Sequence, residues 1–367
     1  MTRVWDVPVH DSTRLRDARV AAECASALAG LDRARADAAA LVATELATNL
    51  LKHAHGGQLL VEAVCGPGGR AAGLMVQIAA VDHGPGMADV PAALGDGFST
   101  AGSLGAGLGT CRRLAEDFDL HSVPGRGTVA IARLGGAAAS RGGRDTAADP
   151  SGSGPAGEDA ADAPLGVRAG GVNIPFRGAE HSGDAWTCVR AGHLLTLMLA
   201  DGLGHGPDAA LASTAAAEAV RGSGHLPPAE LLRRLDDALR GTRGAAAAVA
   251  QLDARAGRLR FCGVGNVGAR LREGDSWRHL LSRPGIVGTH RPRTLPETEA
   301  AWGPDRLLVL HSDGLPSRWA PPVDPRLLGA DPALVAAVTV RDAGSSARPV
   351  RDDTAVAVLS PTPPDRP

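Results

Sequence analysis

The sequence predicts an α+β protein with two domains, and three observations carry this prediction. Apolar runs of strand length occur in both halves of the 367-residue chain. Longer segments with helical spacing of Ala and Leu accompany them. Between the halves, residues 135–164 are mostly Ala, Gly, Ser, Asp and Pro, a composition that cannot bury enough apolar surface to offset the entropy of ordering. We therefore predict domains at residues 1–134 and 165–360, joined by a flexible linker at residues 135–164.

The first domain is predicted to pack helices on one mixed sheet. Its strands are marked by alternating or apolar segments, and its helices by length and periodicity. The second helix is expected to stop at Gly56-Gly57, because glycine favours the backbone conformation that ends a helix. The predicted strands are Val4–Val9, Leu59–Val64, Leu74–Val81 and Gly127–Leu134, and the predicted helices are Asp11–Ala29, Asp32–His55 and Gly109–Phe118.

The second domain is predicted to be a sheet sandwich flanked by helices, because many short strands accompany one pair of helices. Ala256-Gly257 predicts a hairpin turn between two of these strands. The predicted strands are Val172–Phe176, Ala185–Val189, Leu194–Ala200, Ala245–Leu252, Leu259–Val264, Leu307–Leu310 and Thr354–Leu359, and the predicted helices are Asp208–Arg221 and Pro228–Arg240.

Composition excludes several classes of function. The formal net charge of −2 provides no global basic field for nucleic acid or an anionic membrane. The five cysteines contain no C-x-x-C pair, which is typical of reduced thiols in an intracellular protein. No apolar run reaches transmembrane length, and the first ten residues contain no signal-peptide core. We therefore expect a soluble, cytoplasmic protein that binds neither nucleic acid nor membrane.

A first group of candidate site residues lies on the second predicted helix. Glu45 and Asn49 are four residues apart, so both side chains lie on one helix face. A carboxylate can polarise a hydroxyl group, and an amide oxygen can bind Mg²⁺ beside phosphates. Such a pair by itself more often belongs to a solvated helix face.

Two glycine-containing segments complete this group. Asp82 ends a predicted strand and is followed by Gly84 and Gly86, which let the backbone approach a flat base closely. The segment Gly105–Gly109 opens a predicted helix, where free N–H groups favour phosphate. Glycine-rich segments are common in this chain, so the order and spacing of all these features together indicate a nucleotide site.

These motifs resemble those of the GHKL family of ATP-binding domains, and within it the branch of RsbT-like serine kinases and anti-sigma factors. The resemblance implies that Asn49 holds Mg²⁺ and that Glu45 is the general base toward a serine or threonine hydroxyl. It also implies that Asp82 and Thr128 lie beside the adenine. The glycines implied to contact ATP, the first two at the base and the other three at the phosphates, are Gly84, Gly86, Gly105, Gly107 and Gly109. The motifs are Thr44–Asn49, Asp82–Met87, Gly105–Gly109 and Gly127-Thr128.

Four aspartates in the second half form a different pattern. Asp184, Asp201, Asp313 and Asp352 each lie beside an apolar, strand-like run. Any one of them alone is typical of a turn, because Asp next to Gly favours turns. Carboxylates converging at strand ends would repel one another unless cations lay between them. Two divalent ions in such a site can activate a bridging water for in-line attack on a phosphoryl group.

These aspartate motifs resemble the SpoIIE-type, RsbX-like branch of the metal-dependent type 2C protein phosphatases. The resemblance implies an α-β-β-α sandwich in which Asp184 and Asp201 share a pair of metal ions and are catalytic. Asp353 is an open alternative to Asp352 as a ligand. The implied metal ligands are Asp184, Asp201, the Gly202 carbonyl, Asp313 and Asp352. The motifs are Ser182–Asp184, Ala200–Gly206, Gly263–Asn266, His311–Leu315 and Asp352-Asp353.

The two resemblances together imply a partner-switching signalling protein. Its C-terminal domain would hydrolyse phosphoserine or phosphothreonine on a STAS-type regulator, an anti-sigma-factor antagonist or stressosome protein, using two Mn²⁺ or Mg²⁺ ions. Its N-terminal domain would bind ATP and Mg²⁺ and phosphorylate the same class of regulator. Two alternatives stay open for the N-terminal domain: a non-catalytic module that sequesters a sigma factor or STAS partner, and an ATP sensor that gates the phosphatase.

Overall fold

The computed structural model describes residues 3–66, 69–94, 107–135, 166–344 and 352–363. Of the predicted linker only Gly135 falls within these ranges, and the predicted phosphate-contacting Gly105 lies outside them. None of the helices in the described ranges has the length and apolar character needed to cross a bilayer.

The first domain is a layer of helices on one five-stranded sheet. Its elements are β1 (Val4–Val9), α1 (Arg14–Ala29), α2 (Arg33–Ala54), β2 (Gly57–Gly66), β3 (Gly69–Val81), α3 (Val90–Leu94), α4 (Gly107–Leu114), β4 (Asp117–Val123) and β5 (Gly127–Gly135). The sheet order is β1-β2-β3-β5-β4, and every neighbouring pair is antiparallel rather than mixed. In two of these pairs, β2–β3 and β4–β5, the second strand begins within a few residues of the end of the first, which favours the antiparallel arrangement.

Both faces of this sheet are buried, which explains its continuous apolar runs. Leu59 and Val61 face α1 and α2, whereas the intervening Leu60 faces the other domain. The predicted end of the helix Gly109–Phe118 was wrong: α4 ends at Leu114, and Phe118 belongs to β4, where it is paired with Ala132. The ladder with β5 satisfies the backbone of this segment in place of a longer helix.

The second domain is a pair of sheets with helices outside them, as the sequence predicts. Its strands are β6 (Val167–Ile174), β7 (Asp184–Ala191), β8 (Leu194–Gly202), β9 (Ala245–Asp253), β10 (Arg258–Val264), β11 (Gly268–Glu273), β12 (Ser276–Leu280), β13 (Thr298–Ala301), β14 (Arg306–His311) and β15 (Thr354–Pro361). Its helices are α5 (Pro207–Arg221), α6 (Pro228–Ala238) and α7 (Pro332–Ala343).

The two sheets enclose the main core of this domain. One sheet has the order β13-β10-β9-β8-β7, the other β12-β11-β14-β15-β6. Side chains such as Leu197, Ala248 and Leu308 are fully buried between them. Helices α5 and α6 cover the outside of the first sheet, and the predicted turn at Ala256-Gly257 connects β9 to β10.

Helix α7, which the sequence did not predict, lies between the two domains. One side of α7 packs on β6 and β15, and the other side meets the N-terminal sheet through residues such as Leu60, Val81 and Ile131. Residues 332–341 of this helix are all buried. A helix that is apolar around its whole circumference must be covered on all sides, and the N-terminal sheet supplies the second cover.

A chain of buried polar contacts crosses this interface. Arg133 on β5 donates two hydrogen bonds to Asp331, at 2.7 and 2.8 Å, and a third to Gln77, at 2.9 Å. Gln77 donates in turn to Glu62 and to the carbonyl of Gly171 in the other domain, both at 2.9 Å. Burial raises the pKa of Glu62 to about 8, while Gln77 and Arg133 act in the opposite direction. The two domains are therefore joined by directional polar contacts as well as by apolar packing.

Candidate nucleotide site and candidate metal centre

Helix α2 brings Glu45 and Asn49 together with the start of α4. Residues such as Leu46 and Leu50 bury one face of α2 against the sheet, which leaves Glu45 and Asn49 half-buried on its flank. A Cβ atom on Gly107 would lie 3.4 Å from Asn49 Oδ1 and 3.6 Å from Glu45 Oε2. The Asn49 Nδ2 group is buried and has no hydrogen-bond partner within the described part of the chain. A buried amide without a partner needs one, so this group fits contact with a ligand.

Asp82 is held at the end of β3 by the backbone around it. Its N–H donates to the carbonyl of Thr128, and its Oδ1 accepts from the N–H groups of Gly84 and Thr128, at 2.8 and 3.1 Å. Burial raises the pKa of this carboxyl group, and the two backbone hydrogen bonds, Arg341 and His83 offset part of the rise. Both hydrogen bonds fall on Oδ1, which orients the carboxylate and leaves Oδ2 available to accept from a ligand.

Glycine is required at positions 84 and 86 for packing reasons that do not involve a nucleotide. A Cβ atom on Gly84 would lie 2.7 Å from the Cα atom of Ala54, at the end of α2. Gly86 has φ +68°, and its Cβ would lie 2.2 Å from the carbonyl oxygen of Val123. Close packing of the Asp82 turn therefore requires both glycines, and their contact with adenine stays a prediction. Gly109 is buried within α4.

In the second domain the sheet register places Asp184 opposite Asp201. They are directly paired across β7 and β8. Burial, followed by the charge of Asp201, raises the pKa of Asp184 well above its usual range. Burial and the carboxylates of Asp313, Asp352 and Asp353 raise the pKa of Asp201 to about 7.

The loop after β14 brings Asp313 to the same place. Asp313 Oδ2 accepts a hydrogen bond from the Asn266 side chain at 2.6 Å. The motif Gly263–Asn266 was recognised in the sequence, but the direct contact of Asn266 with a candidate ligand was not predicted. The neighbouring Ser312 hydroxyl bonds to Asp184 and accepts from the Ala355 N–H at 3.0 Å.

The adjacent aspartates Asp352 and Asp353 differ sharply in their contacts. Both oxygens of Asp353 accept backbone N–H groups, from Phe176 at 2.8 Å and from Gly183 at 2.9 Å. Asp353 is only 5% exposed, whereas Asp352 is exposed and its carboxylate accepts one hydrogen bond from the described residues, on Oδ1 from the N–H of Asp353. The Asp353 carboxylate thus holds the loops together, and Asp352 is the freer of the two.

Gly202 and the Oδ2 atom of Asp184 are two further features of the candidate metal centre. A Cβ atom on Gly202 would lie 2.2 Å from the carbonyl oxygen of Ala209, so only glycine fits between β8 and α5. Asp184 Oδ2 is buried without a hydrogen-bond partner among the described residues. No three His, Cys, Asp or Glu side chains of those residues form a ready-made ion-binding group as they stand. The unpartnered oxygen and the mutual repulsion of the carboxylates nevertheless fit divalent cations bound among them.

Comparison with protein families assigns both domains. Residues 191–361 match the family model of stage II sporulation protein E, and residues 9–133 match that of the histidine kinase-like ATPase domain. The chain therefore joins an ATPase domain of the histidine kinase-like class to a SpoIIE-type phosphatase domain. Both predicted resemblances are confirmed at this level. Asp201, Asp313 and Asp352 lie within the SpoIIE match, and Asp184 lies just before it.

Among individual proteins, the chain is similar to the serine/threonine-protein kinase RsbT of Bacillus subtilis (strain 168). The two are 44% identical over 85 residues, which are 23% of this chain and 61% of the kinase. The chain thus spans about three fifths of the length of the curated relative it matches. It also resembles the solved phosphatase and partial regulatory domain of SpoIIE from Bacillus subtilis, with 14% identity, TM-score 0.46, and 79% and 78% of the two chains covered. A structure of RsbX with magnesium has 20% identity, TM-score 0.45, and 53% and 96% coverage.

Proposed function

We propose that this protein both adds phosphate to and removes phosphate from a STAS-domain regulator of a partner-switching system. The observation that carries the phosphatase half is the convergence of Asp184, Asp201, Asp313 and Asp352, with an unpartnered buried oxygen on Asp184. Two Mn²⁺ or Mg²⁺ ions bound there would supply an activated water for attack on a phosphoserine or phosphothreonine. Asp352 is the better candidate ligand than Asp353, because the oxygens of Asp353 are already engaged by the backbone.

The kinase half of the proposal is supported by the similarity to RsbT and by the grouping of Glu45, Asn49 and Gly107. Asn49 would hold Mg²⁺ with ATP, and Asp82 would accept a hydrogen bond from the adenine amino group. Glu45 would take the proton from the hydroxyl group that attacks the γ-phosphate.

The variant Glu45→Ala is expected to abolish transfer of labelled γ-phosphate to STAS proteins of the same genome while leaving ATP affinity within about twofold. General-base catalysis contributes roughly 10²–10⁴-fold, so the loss lies well outside assay error. Labelling is measured by autoradiography, and ATP binding by isothermal titration calorimetry.

Glu23→Ala is the matched control, because Glu23 lies on α1 and pairs with Arg19 at the surface. That variant is expected to retain transfer. If the wild-type protein binds ATP tightly and labels no STAS protein, the kinase assignment is wrong and the binding-module alternative replaces it.

A second candidate function, ATP-dependent gating of the phosphatase, is favoured by contacts between the Asp82 turn and α7. His83 Nε2 bonds to the carbonyl of Arg341 at 2.9 Å, and the Arg341 guanidinium donates to the carbonyl of Gly127 at 3.3 Å. Gly127 precedes Thr128, which itself holds Asp82. Because α7 also packs on β6 and β15, a ligand that shifts the Asp82 turn can act on the phosphatase sandwich through this helix.

Gating predicts that a non-hydrolysable ATP analogue changes the rate at which the phosphatase hydrolyses p-nitrophenyl phosphate. Arg341→Met removes the polar contact to Gly127 but keeps the bulk of the side chain, so the ATP effect is expected to fall by about half or more. The exposed Arg240, which pairs with Asp237, provides the control Arg240→Met. An ATP effect that persists unchanged in Arg341→Met would rule out a route through the Arg341 side chain.

A further inference from the structure

A cavity of about 220 Å³ opens on the outer face of β11, next to the candidate metal centre. Ala269 and Leu271 of this strand point into the core, so Arg270 points outward into the cavity. We propose that this cavity is a specificity subsite, an inference that rests on the proposed phosphatase function. The subsite would bind an acidic side chain of the protein substrate that lies close in sequence to the phosphorylated residue of that substrate.

The shape of the cavity depends on Gly268. Gly268 is paired with His311 of β14, and the His311 ring occupies the space above it. A Cβ atom on Gly268 would lie 2.3 Å from His311 Nε2. The ring of His311 meets Trp319 edge to face, with centroids 4.8 Å apart. The floor of the cavity is therefore fixed by packing and is present before any ligand arrives.

The Arg270 guanidinium supplies the charge of the cavity. It lies 5.4 Å from the ring centroid of Trp319, a cation–π contact that orients it. Burial lowers the pKa of Arg270, and no carboxylate of the described residues offsets that effect. His279 of β12, the cross-strand partner of Arg270, faces the same cavity. A half-buried arginine without a carboxylate partner is a site for an external anion.

Asn266 connects the cavity to the metal centre. Its side chain both lines the cavity and donates to Asp313 Oδ2 at 2.6 Å. A phosphorylated segment whose phosphate lies among the aspartates would therefore pass a flanking residue over Arg270. Leu281, which is 79% exposed at the rim, offers an apolar contact to the same segment. The volume accommodates one side chain, and the planar guanidinium matches a carboxylate.

The test uses synthetic phosphoserine heptapeptides in which one flanking Asn is replaced by Asp at each position in turn, with Mn²⁺ and the full chain. The wild-type protein is expected to prefer Asp over Asn at one or more flanking positions by about 3- to 10-fold in kcat/KM. In Arg270→Gln this ratio is expected to fall to about one, through a rise in KM for the acidic peptide.

Arg272→Gln is the matched control, because Arg272 lies on the same face of β11 but contacts the Gly274 carbonyl and Asp275 outside the cavity. Arg272→Gln should keep the preference for Asp over Asn. Arg270→Lys should retain part of the preference that Arg270→Gln loses. A wild-type protein without any preference overturns the proposal. An equal rise in KM for p-nitrophenyl phosphate in Arg270→Gln also overturns it, because Arg270 would then bind the phosphoryl group itself.

Direct binding separates this inference from the proposed function. If no phosphate is released from any substrate, p-nitrophenyl phosphate included, the phosphatase assignment fails. Titration of the unphosphorylated Asp peptides, followed by the indole resonance of Trp319, still tests the subsite. Binding that Arg270→Gln weakens supports it, and equal shifts in both proteins, or none, contradict it.

Discussion

Asp201→Asn is expected to lower metal-dependent hydrolysis of p-nitrophenyl phosphate and of a phosphoserine protein by a factor of about 10³ or more. Asp201 lies opposite Asp184 at the centre of the aspartate cluster. Its loss removes a charge that would hold the metal ions, and with them the activated water. Phosphate release is measured with and without Mn²⁺ and a chelator.

The same variant has an expected effect on stability that does not depend on activity. Burial and neighbouring carboxylates raise the pKa of Asp201 from 3.8 to about 7. A raised pKa of an acid contributes stability below the unfolded-state pKa, and that contribution is lost as the pH rises through the folded-state pKa. Without metal, the free energy of unfolding is therefore expected to fall by about 4 kcal/mol between about pH 4 and 7. Asp201→Asn should flatten this fall and raise the melting temperature of the metal-free protein near pH 8.

Asp253→Asn is the control for both measurements, because Asp253 lies at the far end of β9 and accepts hydrogen bonds from a turn, a role that asparagine can also fill. It should leave hydrolysis and its Mn²⁺ dependence intact. Metal-dependent hydrolysis that survives in Asp201→Asn, together with an unchanged pH profile of stability, would remove Asp201 from the metal centre.

Asp331→Ala is expected to destabilise the protein by about 3–5 kcal/mol. Asp331 accepts two of the three hydrogen bonds that the buried Arg133 guanidinium donates, and it also caps α7 by accepting from the Ala333 N–H at 2.9 Å. Burial alone would raise the pKa of Asp331, but Arg133 holds it below its usual value. The variant therefore leaves an arginine buried without its partner and a helix without its cap. Urea unfolding followed by circular dichroism should show an earlier first transition, in which the two domains separate.

The double variant Arg133→Met with Asp331→Asn distinguishes charge from packing. It removes both buried charges and keeps a capping side chain at the start of α7, so it should recover most of the lost stability. The exposed pair Arg240–Asp237 sets the scale for an ordinary ion pair, and Asp237→Ala should cost less than about 1 kcal/mol. Equal losses in Asp331→Ala and Asp237→Ala would mean that the buried pair does not join the domains.

Predicted bounds of strands and helices were confirmed where the signals that define the element lie within the element or directly beside it. The strand Val4–Val9 was predicted with the observed ends, and α2 differs from its prediction by one residue at each end. Its capping signals are local: Asp32 accepts from the Arg35 N–H, and His55 takes the left-handed conformation at the end. The segment Asp117–Val123 was not predicted as a strand, because its half-buried residues lack a clear alternation and its partner β5 lies beyond the next turn.

Helix α7 was not predicted for a different reason. Its sequence has almost no polar face, so the periodicity that marks a surface helix is absent. The short strands β11, β12 and β13 were also missed. Arg270 lies in β11 and Asn266 lies just before it, and both line the cavity beside the candidate metal centre. The contact between Asn266 and Asp313 joins residues 47 positions apart, and no local pattern reports such a distance.

The sequence by itself determined the two classes of domain and supplied the candidate residues for their chemistry, because both reside in local motifs such as Asp82–Met87 and Ala200–Gly206. Tertiary structure alone decided which carboxylates converge, how the contacts of Asp352 and Asp353 differ, and that α7 contacts both the Asp82 turn and the phosphatase sandwich. The physical reason is range. Turn and cap preferences act over a few residues, whereas charge repulsion, desolvation and the covering of an apolar helix depend on groups that only the folded chain brings into contact.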